Sequence, residues 1–201
     1  RTSSSISASR WKASSRRATD VAAREMLERY GEYRFGPLAD GDAPFVRALF
    51  HATLREQLPL HHTSLSEAGI EALLDHQLAA QTEHYSVNYP HAEISIVEHR
   101  GVPVARLVII EFAAEVRLGD LMVTPAHRKR GICSYIMDRH VDLGLATGRV
   151  IRLHVEKWNP AVALYRRKSF AMVEDLNSHW LMEYRPGEAG AAMPDQLKTA
   201  S

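Results

Sequence analysis

The sequence predicts an α/β fold in which helices flank a mixed β-sheet. Apolar, β-branched runs alternate along the 201 residues with segments whose apolar side chains repeat at helical spacing. Two pairs of such runs follow each other closely, as antiparallel hairpins do. Strands also occur before and after two helical crossovers, which makes the sheet mixed and excludes a repeat or a bundle. The length and the ordinary apolar content, 45%, suit one well-filled domain, placed at residues 31–185.

The first part of this domain supplies a strand and two helices. Residues 33–35 are predicted to form the first strand. Asp42 is expected to cap a helix that runs to about residue 55, and Ser64 or Ser66 to cap the next one. Apolar residues then repeat at helical spacing in that second helix: Ile70, Leu73, Leu74 and Leu78.

The remaining strands lie in the second part. Residues 94–97 and 102–110 are joined by a Gly-containing turn and predict a hairpin, and 116–123 predicts the next strand. Residues 150–155 alternate as a strand, and 172–184 predicts a closing hairpin. A helix between them carries an apolar stripe: Ile132, Ile136, Val141 and Leu145. Pro160 is expected to open a further short helix.

The junction between strand 116–123 and the following helix is the most specific chemical feature of the chain. The strand ends at Thr124-Pro125, and His127-Arg128-Lys129-Arg130-Gly131-Ile132-Cys133-Ser134 follows. Backbone N–H groups at a helix N-terminus, aided by the helix dipole, form an anion site. Gly131 permits close approach of the backbone, and the three basic side chains attract a polyanion. The turn is neither a Walker loop nor a GxGxxG fingerprint.

Three motifs in order resemble the GNAT acetyltransferase superfamily. Arg128-x-x-Gly131-x-Cys133 is similar to its acetyl-CoA loop, Leu153-His154-Val155-Glu156-Lys157-Trp158-Asn159 to its fifth strand, and Ala163 to Phe170 to the helix that follows. The resemblance implies a GNAT-like, mostly antiparallel sheet and acetyl-CoA as co-substrate. It implies cofactor binding by three sets of residues, namely Leu121, Met122 and Val123; Arg128, Lys129, Arg130, Gly131, Ile132, Cys133 and Ser134; and Asn159. No metal is predicted, because the histidines lack ligand spacing.

The chain departs from the family pattern at two positions. Cys133 stands where the family prefers Gly or Ala, and a small, apolar Cys should be tolerated there. Ser169 stands where the family prefers Gly. Because a left-handed Ser costs about 1–2 kcal/mol, a different turn is expected at that point.

Acetyl transfer to an amine needs an acid for the departing thiolate and a base for the ammonium proton. The resemblance makes Tyr165 the candidate acid. His154 is the candidate base, since it takes the place of the Glu of the ribosomal-protein acetylating branch and an imidazole suits proton abstraction near neutrality. Asp120 and Glu111 compete with it, although Glu111 is more simply a solvated charge.

The acceptor is expected to be a small amine or an amine of a peptide or protein, and the sequence leaves this choice open. Glu83 and His84, at the end of the second helix, are candidates for the acceptor side. The alternative to an enzyme is a non-catalytic acyl-CoA binding module, and a further alternative uses Cys133 as a nucleophile beside Arg130. A homodimer also remains open.

Composition limits the partners and the compartment. The net charge of +1 argues against a nucleic-acid binder, and no apolar run reaches the length of a membrane span. A single cysteine fits a reducing, cytoplasmic compartment. Residues 1–30 read as a disordered or partly helical extension, with a short helix predicted at 21–29, and residues 1–20 also resemble a transit peptide. Residues 186–201 read as a disordered tail.

Overall fold

The computed structural model describes residues 33–58 and 63–187, and the predicted extension, its short helix at 21–29 and nearly all of the predicted tail lie outside these ranges. The strands of the described chain are, in order, β1 Tyr33–Pro37, β2 Glu93–His99, β3 Val102–Glu111, β4 Glu115–Val123, β5 Val150–Glu156, β6 Ala171–Leu176 and β7 His179–Tyr184. The helices are α1 Ala43–Gln57, α2 Glu67–Asn88, α3 Ile132–Thr147 and α4 Ala161–Arg167.

The strands form one sheet in the order β1-β2-β3-β4-β5-β7-β6. Every neighbouring pair is antiparallel except β4 and β5, which are parallel and are connected through α3. The predicted α/β fold with a mostly antiparallel sheet flanked by helices is thus confirmed, and so are both predicted hairpins.

The sheet buries apolar side chains on both faces. On one face, alternate residues of the central strands pack with α3 and α4, and Val116, Ile136, Ile151 and Met182 are fully buried there. On the other face, α1 places Leu49 and Phe50 against Met122 of β4, while α2 places Tyr85 against Val108 and Ile110 of β3. Burial of this kind contributes about 1.5–3 kcal/mol for each large side chain.

Two of the predicted helix details are confirmed. Ser66, one of the two predicted caps, accepts a hydrogen bond from Gly69 N at the start of α2 (3.2 Å). Pro160 directly precedes the first residue of α4.

Two other helix predictions are wrong. Asp42 does precede α1, but its carboxylate accepts from Ala39 N and closes a 3-10 turn rather than capping the helix. Leu145 is 56% exposed, and the buried face of α3 is made instead by Ile132, Tyr135, Ile136, Met137, His140 and Gly144. The predicted stripe is wrong because its residues do not share one face: at about 100° per residue, Leu145 lies about 220° around the helix from Ile132.

Candidate active site

The functional cleft begins where β4 and β5 separate. Their parallel pairing covers only Glu115–Leu118 of β4, and its last pair is Leu118 with Leu153. Beyond that point β4 continues to Val123 and β5 to Glu156 without pairing with each other. The strand edges that face this gap offer backbone groups that no neighbouring strand satisfies.

A β-bulge bends β4 at the start of the gap. Leu118 pairs with Ile109 and Asp120 pairs with Val108, so Gly119 has no partner of its own on β3. The hydroxyl of Tyr85 on α2 donates to Gly119 O at 2.9 Å. A Cβ at position 119 would lie 3.2 Å from that hydroxyl, which is tighter than most real Cβ contacts, so a larger residue there would require Tyr85 to shift. The bulge is therefore held in place by a helix 34 residues away in sequence.

Two cavities fill the cleft. The larger cavity, of about 700 Å³, extends from the gap towards the turn before α3, and the smaller cavity, of about 330 Å³, extends towards β5 and β7. Residues of α1, β4, β5, α4 and the segment before α4 line both cavities and mark their junction: Thr53, Gln57, Leu121, Met122, Glu156, Asn159 and Tyr165.

The turn before α3 borders the larger cavity. Lys129 and Gly131 both have left-handed backbone angles (φ 60° and 88°), a local geometry that turns successive N–H groups towards one side. Arg128 is anchored, since its Nε donates to Val123 O at 3.0 Å and its guanidinium pairs with Glu56 of α1. A Cβ on Gly131 would meet nothing within 4 Å, so the groove beside it is open. Its open backbone and basic rim fit a pyrophosphate.

Most residues predicted for the cofactor loop line this cavity. They are Leu121, Met122, Val123, Arg128, Lys129, Gly131, Ile132, Cys133, Ser134 and Asn159. Arg130 is exposed and is not among the lining residues. Asn159 also has a local role, because its Oδ1 accepts from Ala161 N at 2.9 Å and so caps the first turn of α4.

Tyr165 is positioned by the C-terminal end of α4. Phe170 N donates a hydrogen bond to Tyr165 O at 3.0 Å, as in a Schellman turn. The rings of these two residues lie 6.0 Å apart and provide the apolar contact that accompanies such a turn. Ser169, in the turn, has φ 64°, so the prediction of a different turn there is wrong: the serine adopts the left-handed conformation. The hydrogen bond from Phe170 N and the contact between the two rings offset the energetic cost of the left-handed serine.

The Tyr165 side chain is 8% exposed yet lines both cavities. Burial, with smaller contributions from the nearby Cys133 and Asp120, raises the pKa of its phenol above the usual range. The phenol therefore keeps its proton at neutral pH and can donate it at the junction of the cavities.

His154 lies on the wall of the smaller cavity, on the face of β5 that carries Glu156 as well. Partial burial, followed by the positive charge of Arg117 and the neighbouring His179, lowers the pKa of His154 below its ordinary 6.5. Its imidazole is thus neutral near pH 7 and has a lone pair that can accept a proton.

Asp120 reaches the smaller cavity but is engaged. Arg106, itself 2% exposed, donates to Asp120 Oδ2 at 3.0 Å and to Gln81 Oε1 at 2.8 Å. Burial raises the pKa of the Asp120 carboxyl, and the Arg106 charge opposes that effect. The pair links β3, β4 and α2 behind the cavity wall.

Three other residues that the sequence suggested as functional lie away from the cleft. Glu111 forms an ion pair with Arg149 (2.7 Å), in keeping with a solvated charge, and lines neither cavity. Glu83 and His84, the candidates for the acceptor side, are exposed and line neither cavity. They fall on the outer face of α2, whose inner face is marked by Gln81 and Tyr85.

Cys133 lines the larger cavity, but its chemistry argues against a nucleophile. Burial raises the pKa of its thiol, although the nearby Arg128 charge opposes the shift. Nucleophilic cysteines need the opposite shift, towards the thiolate.

Sequence reasoning missed a second set of lining residues, contributed mainly by α1 and by the edges of the cleft: Thr53, Glu56, Gln57, Gln81, Glu156, Trp158 and His179. Glu156 and Trp158 belong to the motif at residues 153–159, but the motif assigned them no role. The polar face of α1 gave no signal, since a polar helix face is by default a solvated one.

A sequence model of the acetyltransferase (GNAT) family matches residues 54–170, more than half of the chain. The chain belongs to this family. Its strand-turn-helix motif, its divided β4–β5 pair and its α4 all fall within the matched region or at its edge. The protein is accordingly an N-acetyltransferase with acetyl-CoA as its co-substrate.

Solved structures share this fold at low sequence identity. An acetyltransferase from Thermus thermophilus superposes with a TM-score of 0.55 at 20% identity, covering 76% of this chain and 96% of its own. The PaiA N-acetyltransferase of Thermoplasma acidophilum, in complex with coenzyme A, gives 0.54 at 14% identity (76% and 98% covered). A spermidine N-acetyltransferase from Vibrio cholerae, in complex with CoA and spermine, gives 0.51 at 16% identity (76% and 94%). No curated protein matches the chain in sequence.

Neither a membrane-spanning helix nor a cluster of metal ligands occurs among the described residues. None of the helices in 33–58 and 63–187 is long and apolar enough to cross a membrane. Within the same residues, no group of three or more His, Cys, Asp and Glu side chains could hold a metal ion.

Proposed function

We propose that the protein moves the acetyl group of acetyl-CoA directly to an amine in a ternary complex, with Tyr165 as general acid and His154 as general base. The observation that carries this proposal is the position of Tyr165. It lies at the junction of the two cavities, where a thioester entering from one side would meet an amine entering from the other.

The larger cavity is the site we propose for acetyl-CoA. Its basic turn faces the pyrophosphate, whose charge needs several convergent donors, and the backbone of residues 128–134 supplies them. The unpaired edge at 121–123 can bond the amides of the pantetheine arm, as a sheet edge bonds an extended peptide. Asn159 lies where the arm would pass between β5 and α4.

The proposed reaction uses each group once. His154 Nε2 or Nδ1 takes a proton from the acceptor ammonium, and the amine nitrogen then attacks the thioester carbonyl carbon. The tetrahedral adduct collapses with cleavage of the C–S bond, and the departing thiolate receives the phenolic proton of Tyr165. The nitrogen loses its remaining excess proton to solvent, from which the Tyr165 phenolate is reprotonated, so a neutral amide and the CoA thiol result. The shifted pKa values suit these roles, because the imidazole is held neutral and the phenol is held protonated.

For Asp120, also a predicted catalytic residue, we propose a positioning role. Its carboxylate already bonds Arg106, so a proton transfer to it would weaken a buried ion pair. Removal of the acceptor's proton is therefore assigned to His154, whose imidazole has no ion-pair partner among the described residues.

The test is the substitution Tyr165→Phe, which keeps the ring against Phe170 and removes only the donor. General acid catalysis is worth about 10²–10⁴-fold, so kcat should fall on that scale while acetyl-CoA affinity, measured by calorimetry, stays at the wild-type value. Tyr184→Phe is the matched control, since Tyr184 is buried beside Phe170 but lines neither cavity. Full turnover by Tyr165→Phe would refute the acid assignment.

The base is tested separately through the pH profile. With an acceptor that does not ionise in the range, kcat/KM should decline on the acidic side of the ordinary range of a histidine, because the pKa of the His154 imidazole is lowered and the ring becomes charged only there. His154→Gln should lower the rate and flatten this limb. An unchanged limb in the variant would assign proton removal to another group.

A further inference from the structure

The two cavities differ in the charge of their walls. Arg128, Lys129 and Arg167 line the larger cavity, which suits a polyanion. Among the described residues that line the smaller cavity, none is Lys or Arg. Its polar groups are amides, hydroxyls and imidazoles, together with two carboxylates, Asp120 and Glu156. The wall itself therefore carries no fixed cation; Arg106 and Arg117 lie outside it, where Arg106 pairs with Asp120 and the charge of Arg117 acts on His154.

The carboxylates of the cleft differ in whether they have a cationic partner. Glu56 pairs with Arg128, and Asp120 pairs with Arg106. Within the described residues, the Glu156 carboxylate forms neither a hydrogen bond nor an ion pair; only its backbone oxygen is used, by Asn159 N at 3.0 Å. A carboxylate that is partly buried without a partner keeps an unsatisfied preference for a cation.

Glu156 lies close to the residues to which we assign the acid and the base. It lies on β5 beyond the last β4–β5 pair and lines both cavities, as Tyr165 does. His154 is two residues earlier and therefore on the same strand face, and His179 is the cross-strand partner of Glu156. An amine placed between Glu156 and His154 would face the thioester end of the larger cavity.

We propose that the Glu156 carboxylate binds the acceptor's ammonium group, and that the acceptor is an alkylamine whose chain carries no carboxylate. The inference rests on the proposed function and names its substrate class. As the amine attacks, its nitrogen becomes cationic in the tetrahedral adduct, so Glu156 would stabilise the transition state as well as the bound ammonium. A carboxylate on the acceptor would enter a cavity whose wall holds Asp120 and Glu156 and no Lys or Arg.

The proposal is tested with three amines that share a five-carbon chain: pentylamine, cadaverine and 6-aminohexanoate. CoA release should show kcat/KM at least about 10-fold higher for pentylamine and cadaverine than for 6-aminohexanoate, as expected for one uncompensated like-charge contact. Nα-acetyl-lysine amide, which carries the same amine on a peptide unit, distinguishes a peptide lysine from a free amine as the source. Acetylation of either source agrees with the proposal.

Glu156→Gln keeps the size of the side chain and removes its charge. In this variant kcat/KM for pentylamine should fall about 10- to 100-fold, and the discrimination against 6-aminohexanoate should narrow. Glu156→Asp should restore part of the loss. Glu98→Gln on β2 is the control, since it removes the same charge from a partly buried strand position that lines neither cavity.

Acetyl-CoA affinity, measured by calorimetry on the same proteins, separates the failure of this inference from that of the proposed function. Wild-type protein that fails to bind acetyl-CoA would overturn the proposed function itself. If acetyl-CoA binds but Glu156→Gln keeps full kcat/KM, or 6-aminohexanoate is the preferred amine, or no amine of the series is acetylated, the role of Glu156 and the substrate class are overturned and cofactor binding stands.

Discussion

The buried histidine of α3 makes the stability of the protein depend on pH in a way that can be calculated. His140 is 5% exposed, and its Nδ1 donates to Ile136 O at 2.6 Å. Burial lowers the pKa of His140 from 6.5 to about 4; the hydrogen bond to Ile136 O opposes this shift, Arg139 lowers the pKa further and Glu111 raises it. In the folded state the ring therefore stays neutral until the pH approaches 4, whereas in the unfolded chain it protonates near 6.5.

The sign of the pH dependence follows from which state, folded or unfolded, binds the proton at the higher pH. Between pH 6.5 and 4 the unfolded chain carries the proton, so this group's contribution is complete above 6.5 and is lost as the pH falls. At about 1.36 kcal/mol per pH unit, the interval between the two pKa values corresponds to about 3 kcal/mol in the free energy of unfolding. Of this amount, about 2 kcal/mol is lost between about pH 7.5 and pH 5.

The assay is urea unfolding of the wild type and His140→Leu at these two pH values. The free energy of unfolding of the wild type should decrease by about 2 kcal/mol more than that of the variant, because all other titrating groups cancel in the comparison. His76→Gln, which removes an exposed histidine of α2, should behave as the wild type does. Equal pH dependence in wild type and His140→Leu would refute the reasoning.

Two further predictions concern backbone positions with left-handed φ. Ser169→Gly should raise the free energy of unfolding by about 1 kcal/mol in denaturant titrations, because it relieves the strain of a left-handed serine at the end of α4 (φ 64°); an unchanged or lower stability would contradict this. Gly131→Ala and Gly148→Ala form a matched pair at the two ends of α3, with φ 88° and 69° and no atom within 4 Å of either added Cβ. Both should lose about 1 kcal/mol of stability, but only Gly131→Ala should weaken acetyl-CoA binding in calorimetry, by about 10-fold or more; equal affinities in the two variants would remove the turn from the cofactor site.

Local patterns were sufficient for much of the fold. The hairpins, the strand before the basic turn and the Ser66 cap were predicted correctly because each depends on residues close together in sequence. The same holds for the succession of strand, basic turn and helix around residues 128–134, which also depends on neighbouring residues, whereas anion binding by this turn stays a prediction. The motif that identified Tyr165 as a candidate also extends over only a few residues.

Local patterns failed where two options had similar local energies. Asp42 can bond forwards into α1 or backwards to Ala39, and it bonds backwards. Ser169 disfavours a left-handed turn by itself, and the contact of Phe170 with Tyr165 overrides that preference. At Ser169 a packing contact decided the conformation, whereas at Asp42 the two alternatives were both local hydrogen bonds.

Only the tertiary structure decided how the cleft is built. The gap after Leu118 and Leu153 depends on a bulge at Gly119 that Tyr85 of α2 holds, and these contacts join segments far apart in sequence. The unpaired state of Glu156 likewise emerges only when the partners of the other carboxylates are known. The sequence by itself determined which groups could bind and react, because their chemistry is intrinsic to the side chains. Their juxtaposition was decided by long-range packing, whose free energy no local pattern contains.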